Sequence, residues 1–272
     1  MSKYLNESLQ EEYRLGQIGI TKQGDKMKII AYNLYSDIWV ELLYSPVSYV
    51  HTSYGNFLRG SVRNVYRVTS GYHGYFGLGP YSSTTIDKNG KSIETKAYQM
   101  WSGIHKRAED YENRRPAYKD VTVDRCWWDY QKFHEWFDEN YYEIKGEVMS
   151  LDKDILIPGN KIYGPDKCLI VPLRINDLFT CPHQKDKKGN LPPGISIREN
   201  PSSITYRVTL NYFDDNGNKK LLQKVFKTMD EAKKFYREMK ICFIEKVALD
   251  YKDKLPKHVY DAIIKYRHPD WY

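Results

Sequence analysis

The chain has 272 residues, 41% hydrophobic and 15% aromatic, enough for one large domain or two to three small ones with real cores. All of its net charge of +7 lies in the last third: residues 1–180 hold 23 Lys and Arg against 23 Asp and Glu, and residues 181–272 hold 19 against 12. No apolar run approaches the roughly 18 residues needed to cross a bilayer, and Met1-Ser2-Lys3-Tyr4-Leu5-Asn6-Glu7 carries no apolar signal region, so membrane-spanning and exported classes are set aside and a cytoplasmic protein is expected.

Lys26–Asn33 and Asp37–Leu43 are short β-rich runs separated by Leu34-Tyr35-Ser36, which predicts a hairpin. Two strands alone are marginal, so further strands or a neighbour must cover them. Residues 70–95 read as loop, with Gly71, Gly74, Gly77, Gly79, Pro80 and a turn at Lys88-Asn89-Gly90. Gly74-Tyr75-Phe76-Gly77-Leu78-Gly79 makes a poor phosphate cradle, because it follows no clear strand and lacks Gly-Lys-Ser/Thr. Residues 97–112 predict a helix with Tyr98, Trp101, Ile104 and Ala108 on one face. Residues 129–140 predict another, with Tyr130, Phe133, Trp136 and Phe137 as a core stripe. His105 and His134 lie on these helices and read as structural.

Residues 149–180 parse as a strand, a turn at Pro158-Gly159-Asn160, a second extended stretch and a short helix starting near Pro172. The polar, Pro-flanked stretch 182–193 reads as a linker. Three strands follow at Gly194–Glu199, Ile204–Phe213 and Leu221–Lys227, the last two joined by Asp214-Asp215-Asn216-Gly217-Asn218 with its Asn-Gly turn signal. Thr228-Met229-Asp230-Glu231 is a capping box. The helix it opens runs to about Tyr251, with Ala232, Phe235, Met239, Cys242, Phe243 and Val247 on one side. The expected fold is thus α+β in several modules: 1–95 small and β-rich, 96–181 helical and then ββα, and 190–272 a three-stranded antiparallel sheet on one helix with a C-terminal helical extension.

Alternation along the last strands puts Tyr206, Val208, Leu210, Tyr212, Ile195, Ile197 and Phe226 toward the helix. Ser196, Arg198, Arg207, Thr209, Asn211 and Gln223 then share the other face. That face has the width and the donors for a DNA major groove, where Arg reads guanine and Asn or Gln reads adenine. A plain solvent face is the alternative. The charge excess likewise fits a polyanionic partner, through counterion release, or a solvated surface. The 25 tyrosines fit half-buried strand positions or base stacking. Cys126, Cys168, Cys181 and Cys242 form no CxxC pair, so reduced thiols are expected, with a zinc site around Cys181 and His183 as the lesser alternative.

Two resemblances add to these readings. Residues 194–250 resemble the DNA-binding domain of plant ethylene-response factors (the APETALA type), also found in phage and bacterial mobile-element proteins. The matching residues are Gly194-Ile195, Tyr206-Arg207-Val208-Thr209, Phe226-Lys227-Thr228, Asp230-Glu231-Ala232 and Tyr236, while Lys224-Val225 stands where the family has Leu-Gly. The resemblance implies binding of double-stranded DNA through the sheet, with Arg198, Arg207 and Thr209 as base or phosphate contacts. Residues 150–178 resemble the ββα-metal (HNH) motif of phage homing endonucleases in Leu151-Asp152-Lys153-Asp154-Ile155, Gly159-Asn160, Cys168-Leu169 and Ile175-Asn176.

The second resemblance implies a phage-type endonuclease in a bacterial host cell. Asp152 and Asn176 would hold one magnesium or manganese ion through oxygen. Lys153 stands where that family has its general-base His. A free lysine titrates near about 10.4, and Asp152 and Asp154 would oppose the fall of about three units that base catalysis needs. Three possibilities stay open: His183 or His134 supplies the base, Lys153 contacts phosphate while the metal alone activates water, or the scaffold binds DNA without cutting. Residues 1–95 have no specific match, and a protein partner through them is a further possibility.

Overall fold

A computed structural model of the chain describes residues 13–44, 46–109, 118–179, 185–186, 189–192, 194–200, 203–214 and 217–267. It is α+β and falls into two units, one of residues 1–81 with 129–131, the other of residues 82–128 with 132–272. No helix among the described residues is long and apolar enough to cross a membrane.

The first unit contains the expected hairpin, extended on both sides. Strands β1 (Ile18–Ile20), β2 (Lys26–Leu34), β3 (Asp37–Leu42) and β4 (Ser48–Thr52) form an antiparallel meander. Met27 and Ile29 point inward, then a bulge between Ile29 and Ala31 resets the alternation so that Tyr32 is the next buried side chain. These pack with Ile38, Val40, Leu42 and Phe57, the last from the short helix α1 (Tyr54–Leu58). The loop expected from 70 to 95 carries two small hairpins instead. β5 (Val68–Ser70) pairs with β6 (Gly74–Tyr75) in this unit, and β7 (Thr84–Ile86) with β8 (Ser92–Glu94) in the second. Asn89-Gly90 turns the second of these, with Asp87 accepting from the amides of Asn89 and Lys91 at 2.8 Å. Gly77 and Gly79 serve packing rather than phosphate, since a Cβ on either would run into Asp129 or Gln131.

In the second unit, helix α2 (Lys96–Glu109) buries Ala97, Trp101, Ser102, Ile104 and His105. Trp101 Nε1 donates to the Trp127 carbonyl at 2.8 Å, and His105 Nε2 lies 3.0 Å from the same oxygen. After β9 (Thr122–Val123) comes α3 (Tyr130–Asn140), whose Phe133 is fully buried against Trp127. His134 sits 3.4 Å from Asp138 on the same helix. Both histidines therefore have structural neighbours, as the sequence suggests.

The ββα segment forms as read. β10 (Met149–Asp152) pairs antiparallel with β12 (Leu169–Pro172), and α4 (Leu173–Phe179) follows without a loop. Between them β11 (Ile162–Tyr163) runs parallel to β9. The stretch read as a linker contains a small ladder, β13 (Lys185–Asp186) with β14 (Gly189–Asn190). Then β15 (Ile195–Asn200), β16 (Ser203–Phe213) and β17 (Lys219–Phe226) make the three-stranded antiparallel sheet, in sequence order. It packs on α5 (Met229–Asp250), and α6 (Lys257–Lys265) closes the C-terminal end.

Packing does not stop at the linker. Val171, Ile175 and Leu178 of the ββα segment share one hydrophobic cluster with Ile195, Val208, Leu210, Ala232, Ile244 and Val247. The buried row of α5 also differs from the expected one. It runs Ala232, Tyr236, Lys240, Ile244, Ala248 in steps of four, with Val247 beside it, while Phe235, Met239 and Phe243 are half-buried and Cys242 is exposed. Tyr236 sets this phase, because its ring lies against the Gly194 backbone.

Candidate nucleic-acid interface and the ββα site

Two conditions hold the sheet in place. Thr228 accepts from the Glu231 amide at 3.2 Å while Glu231 accepts from the Thr228 amide, so the capping box starts α5 where the sheet ends. Gly194 has φ +69°, and its carbonyl accepts from the Thr209 amide at 2.8 Å. A Cβ there would stand 2.3 Å from the Tyr236 ring and 2.8 Å from the Thr209 carbonyl oxygen. Only glycine permits this close crossing of strand and helix.

The register places every expected outward residue on one face. Arg207 pairs with Ser196 on one side and Val225 on the other, Arg198 with Thr205, Thr209 with Gln223, and Asn211 with Leu221. Arg198, Asn211 and Gln223 are exposed, and Arg207 and Thr209 half-buried. Gln223 Nε2 reaches Thr209 Oγ1 at 3.5 Å, tying the two strands on this face. Arg207 Nη2 is shielded from water and has no hydrogen-bond partner. At the turn end, Lys219 bonds Asp177 at 3.1 Å and Arg174 covers Phe213, so α4 bounds the face there. Sequence reasoning overlooked Leu221 and Val225, which are exposed on the same face. The alternation that turns Gln223 outward turns them outward too.

In the ββα segment, Asp152 is buried at the end of β10. Its Oδ1 accepts from the amides of Asp154 at 2.8 Å and Ile155 at 2.7 Å. Burial outweighs those two bonds and pushes its carboxyl up to about 6. Lys153 Nζ bonds both carboxylate oxygens of Asp154, at 2.9 and 2.7 Å, and the Asn160 carbonyl at 2.7 Å. These contacts tie the Lys153 side chain across the loop to Asp154 and Asn160. Asn160 is a turn residue in full: its amide donates to the carbonyls of Lys153 and Ile162, and its oxygen accepts from the Ile162 amide. Asn176 on α4 donates to Ser150 Oγ at 3.1 Å, and Ser150 lies two residues before Asp152 on the same face of β10.

Asp152 and Asn176 each offer an oxygen of the kind magnesium or manganese takes. Among the described residues no three His, Cys, Asp or Glu side chains converge on one point. His183 and Cys181 lie outside the described residues. Cys168 is buried, with its thiol pushed up to about 12 by that burial, and Cys126 donates to Asp124 at 3.2 Å. Comparison with family models, curated proteins and solved structures finds no match to this chain.

Proposed function

We propose that this chain binds double-stranded DNA by docking the outer face of β15, β16 and β17 in the major groove. The observation that carries the reading is the single face shared by Arg198, Arg207, Thr209, Asn211 and Gln223. A three-stranded sheet is about 10 Å across, which suits a groove about 12 Å wide. The charge excess of residues 181–272 supplies the sequence-independent attraction to phosphate. The resemblance to the APETALA-type domain points the same way. Fluorescence anisotropy with labelled duplex tests it: Arg207→Ala should weaken binding by about 1–3 kcal/mol if the guanidinium reads a base. Unchanged affinity and an unchanged salt slope would remove Arg207 from the interface.

A second reading, metal-dependent phosphodiester hydrolysis of the HNH type, is favoured by one observation, the buried carboxyl of Asp152 on the strand face whose Ser150 accepts from Asn176. Asp152 and Asn176 would hold the ion, and a bound magnesium or manganese would supply charge for the leaving oxygen. Lys153 bonds Asp154 and Asn160, so in this reading His183 or His134 would supply the base, or the metal alone would activate water. Plasmid cleavage and thermal shift with either metal, run beside Asp152→Ala and Asn176→Ala, decide it. Cleavage and a metal-induced shift that both vanish in the variants support the reading; cleavage that survives both refutes the metal assignment.

A further inference from the structure

Leu221 and Val225 are 57% and 51% exposed on a face whose other exposed side chains are polar. They flank Gln223 on β17, the edge strand, and the three point the same way because alternate residues share a face. Edge strands are ordinarily guarded by charge, and exposed apolar side chains there invite association. The charged and amide groups around them favour a polyanionic occupant over an apolar one, since Arg207 lies directly across from Val225 and Asn211 across from Leu221. In the major groove a duplex presents one apolar feature, the C5 methyl group of thymine.

We propose that β17 is a thymine-reading strand, with Leu221 and Val225 seated on thymine methyl groups to either side of an adenine recognised by Gln223. This rests on the duplex-binding reading above and adds a base preference to it. The spacing fits. Residues two apart on a strand are separated by about 6.8 Å, and base pairs rise by about 3.4 Å, so with β17 lying along the groove each apolar contact falls about two base steps from the adenine. The side-chain amide of Gln223 matches the N6 and N7 edge of adenine, and its present partner, Thr209 at 3.5 Å, is held weakly enough to be exchanged.

The test uses the full chain. It first selects duplexes from a random-sequence pool, and the enriched duplex is then resynthesised with deoxyuridine in place of thymine, which deletes only the methyl groups. The expected result is a site with thymine about two base steps to either side of an adenine, and a loss of roughly fourfold in affinity per contacted methyl on uridine substitution. Leu221→Ala/Val225→Ala, exposed and harmless to the core, should bind both duplexes equally and match the wild-type affinity for the uridine form. Selection without thymine enrichment, or equal wild-type affinity for both duplexes, overturns the thymine assignment while leaving duplex binding in place. A self-association of the chain that the double variant abolishes, with no uridine effect, would make the strand an interface between copies and overturn it as well. Failure to enrich any duplex defeats the duplex-binding reading itself.

Discussion

Asp152 carries the clearest electrostatic cost in the described chain. Its carboxyl is raised from 3.8 to about 6, so the folded state holds its proton more tightly than the unfolded state does. Below about pH 4 both states are protonated and the group is neutral in its effect. As pH rises through the window from about 4 to about 6 the unfolded state releases its proton first, and stability falls; above it the full penalty, about 3 kcal/mol, is present. Asp152→Asn keeps the oxygen that accepts from Asp154 and Ile155. It should therefore stabilise the protein at pH 8 and change little at pH 4, as read by denaturant titration at the two values. Parallel curves for the two proteins across that range would contradict the assignment. Gly194→Ala should cost about 2–4 kcal/mol, from the left-handed backbone and the contact with Tyr236 together. At this scale the sequence was legible where local chemistry decides, as with Asn160 in its turn and the outward set on β16. It was not legible where a distant partner decides: nothing in Gly77 announces Asp129, and nothing in Lys153 announces the Asn160 carbonyl.

The elements were legible wherever periodicity and punctuation agreed. The capping box at Thr228 and Glu231 opens α5 at the expected residue, and Thr228→Ala should cost about 1 kcal/mol in a thermal or denaturant melt. Pro172 precedes the short helix that completes the ββα segment. The buried face of α5 lies one step out of phase with the stripe its sequence suggests, because a 22-residue helix rich in apolar residues offers several stripes and only the crossing at Gly194 selects one. The hairpins of residues 68–94 escaped because two- and three-residue strands carry too little alternation to register. For β1 and β4, which flank the first hairpin, the sequence implies only that two strands need cover.

Across the whole molecule, the sharing of one core by Val171, Ile175 and Leu178 with the sheet and α5 has a functional consequence: the ββα segment supports the proposed DNA face from behind, whether or not it cuts. No linker composition reveals that, since it follows from which apolar faces meet. The charge asymmetry, in contrast, is read directly from the sequence, and it predicts that duplex affinity falls with salt by about 0.9 logarithmic units per decade for each phosphate neutralised. Charge alone and the proposed face make different predictions when equal charge is removed from different places. Duplex binding by the full chain should be measured for Arg198→Glu/Arg207→Glu beside Lys252→Glu/Lys257→Glu, two reversals of the same net charge, the second pair exposed just before and at the start of α6. If the sheet face is the interface, the arginine pair loses binding and the lysine pair keeps most of it; equal losses in the two would show attraction without a defined face and contradict the account.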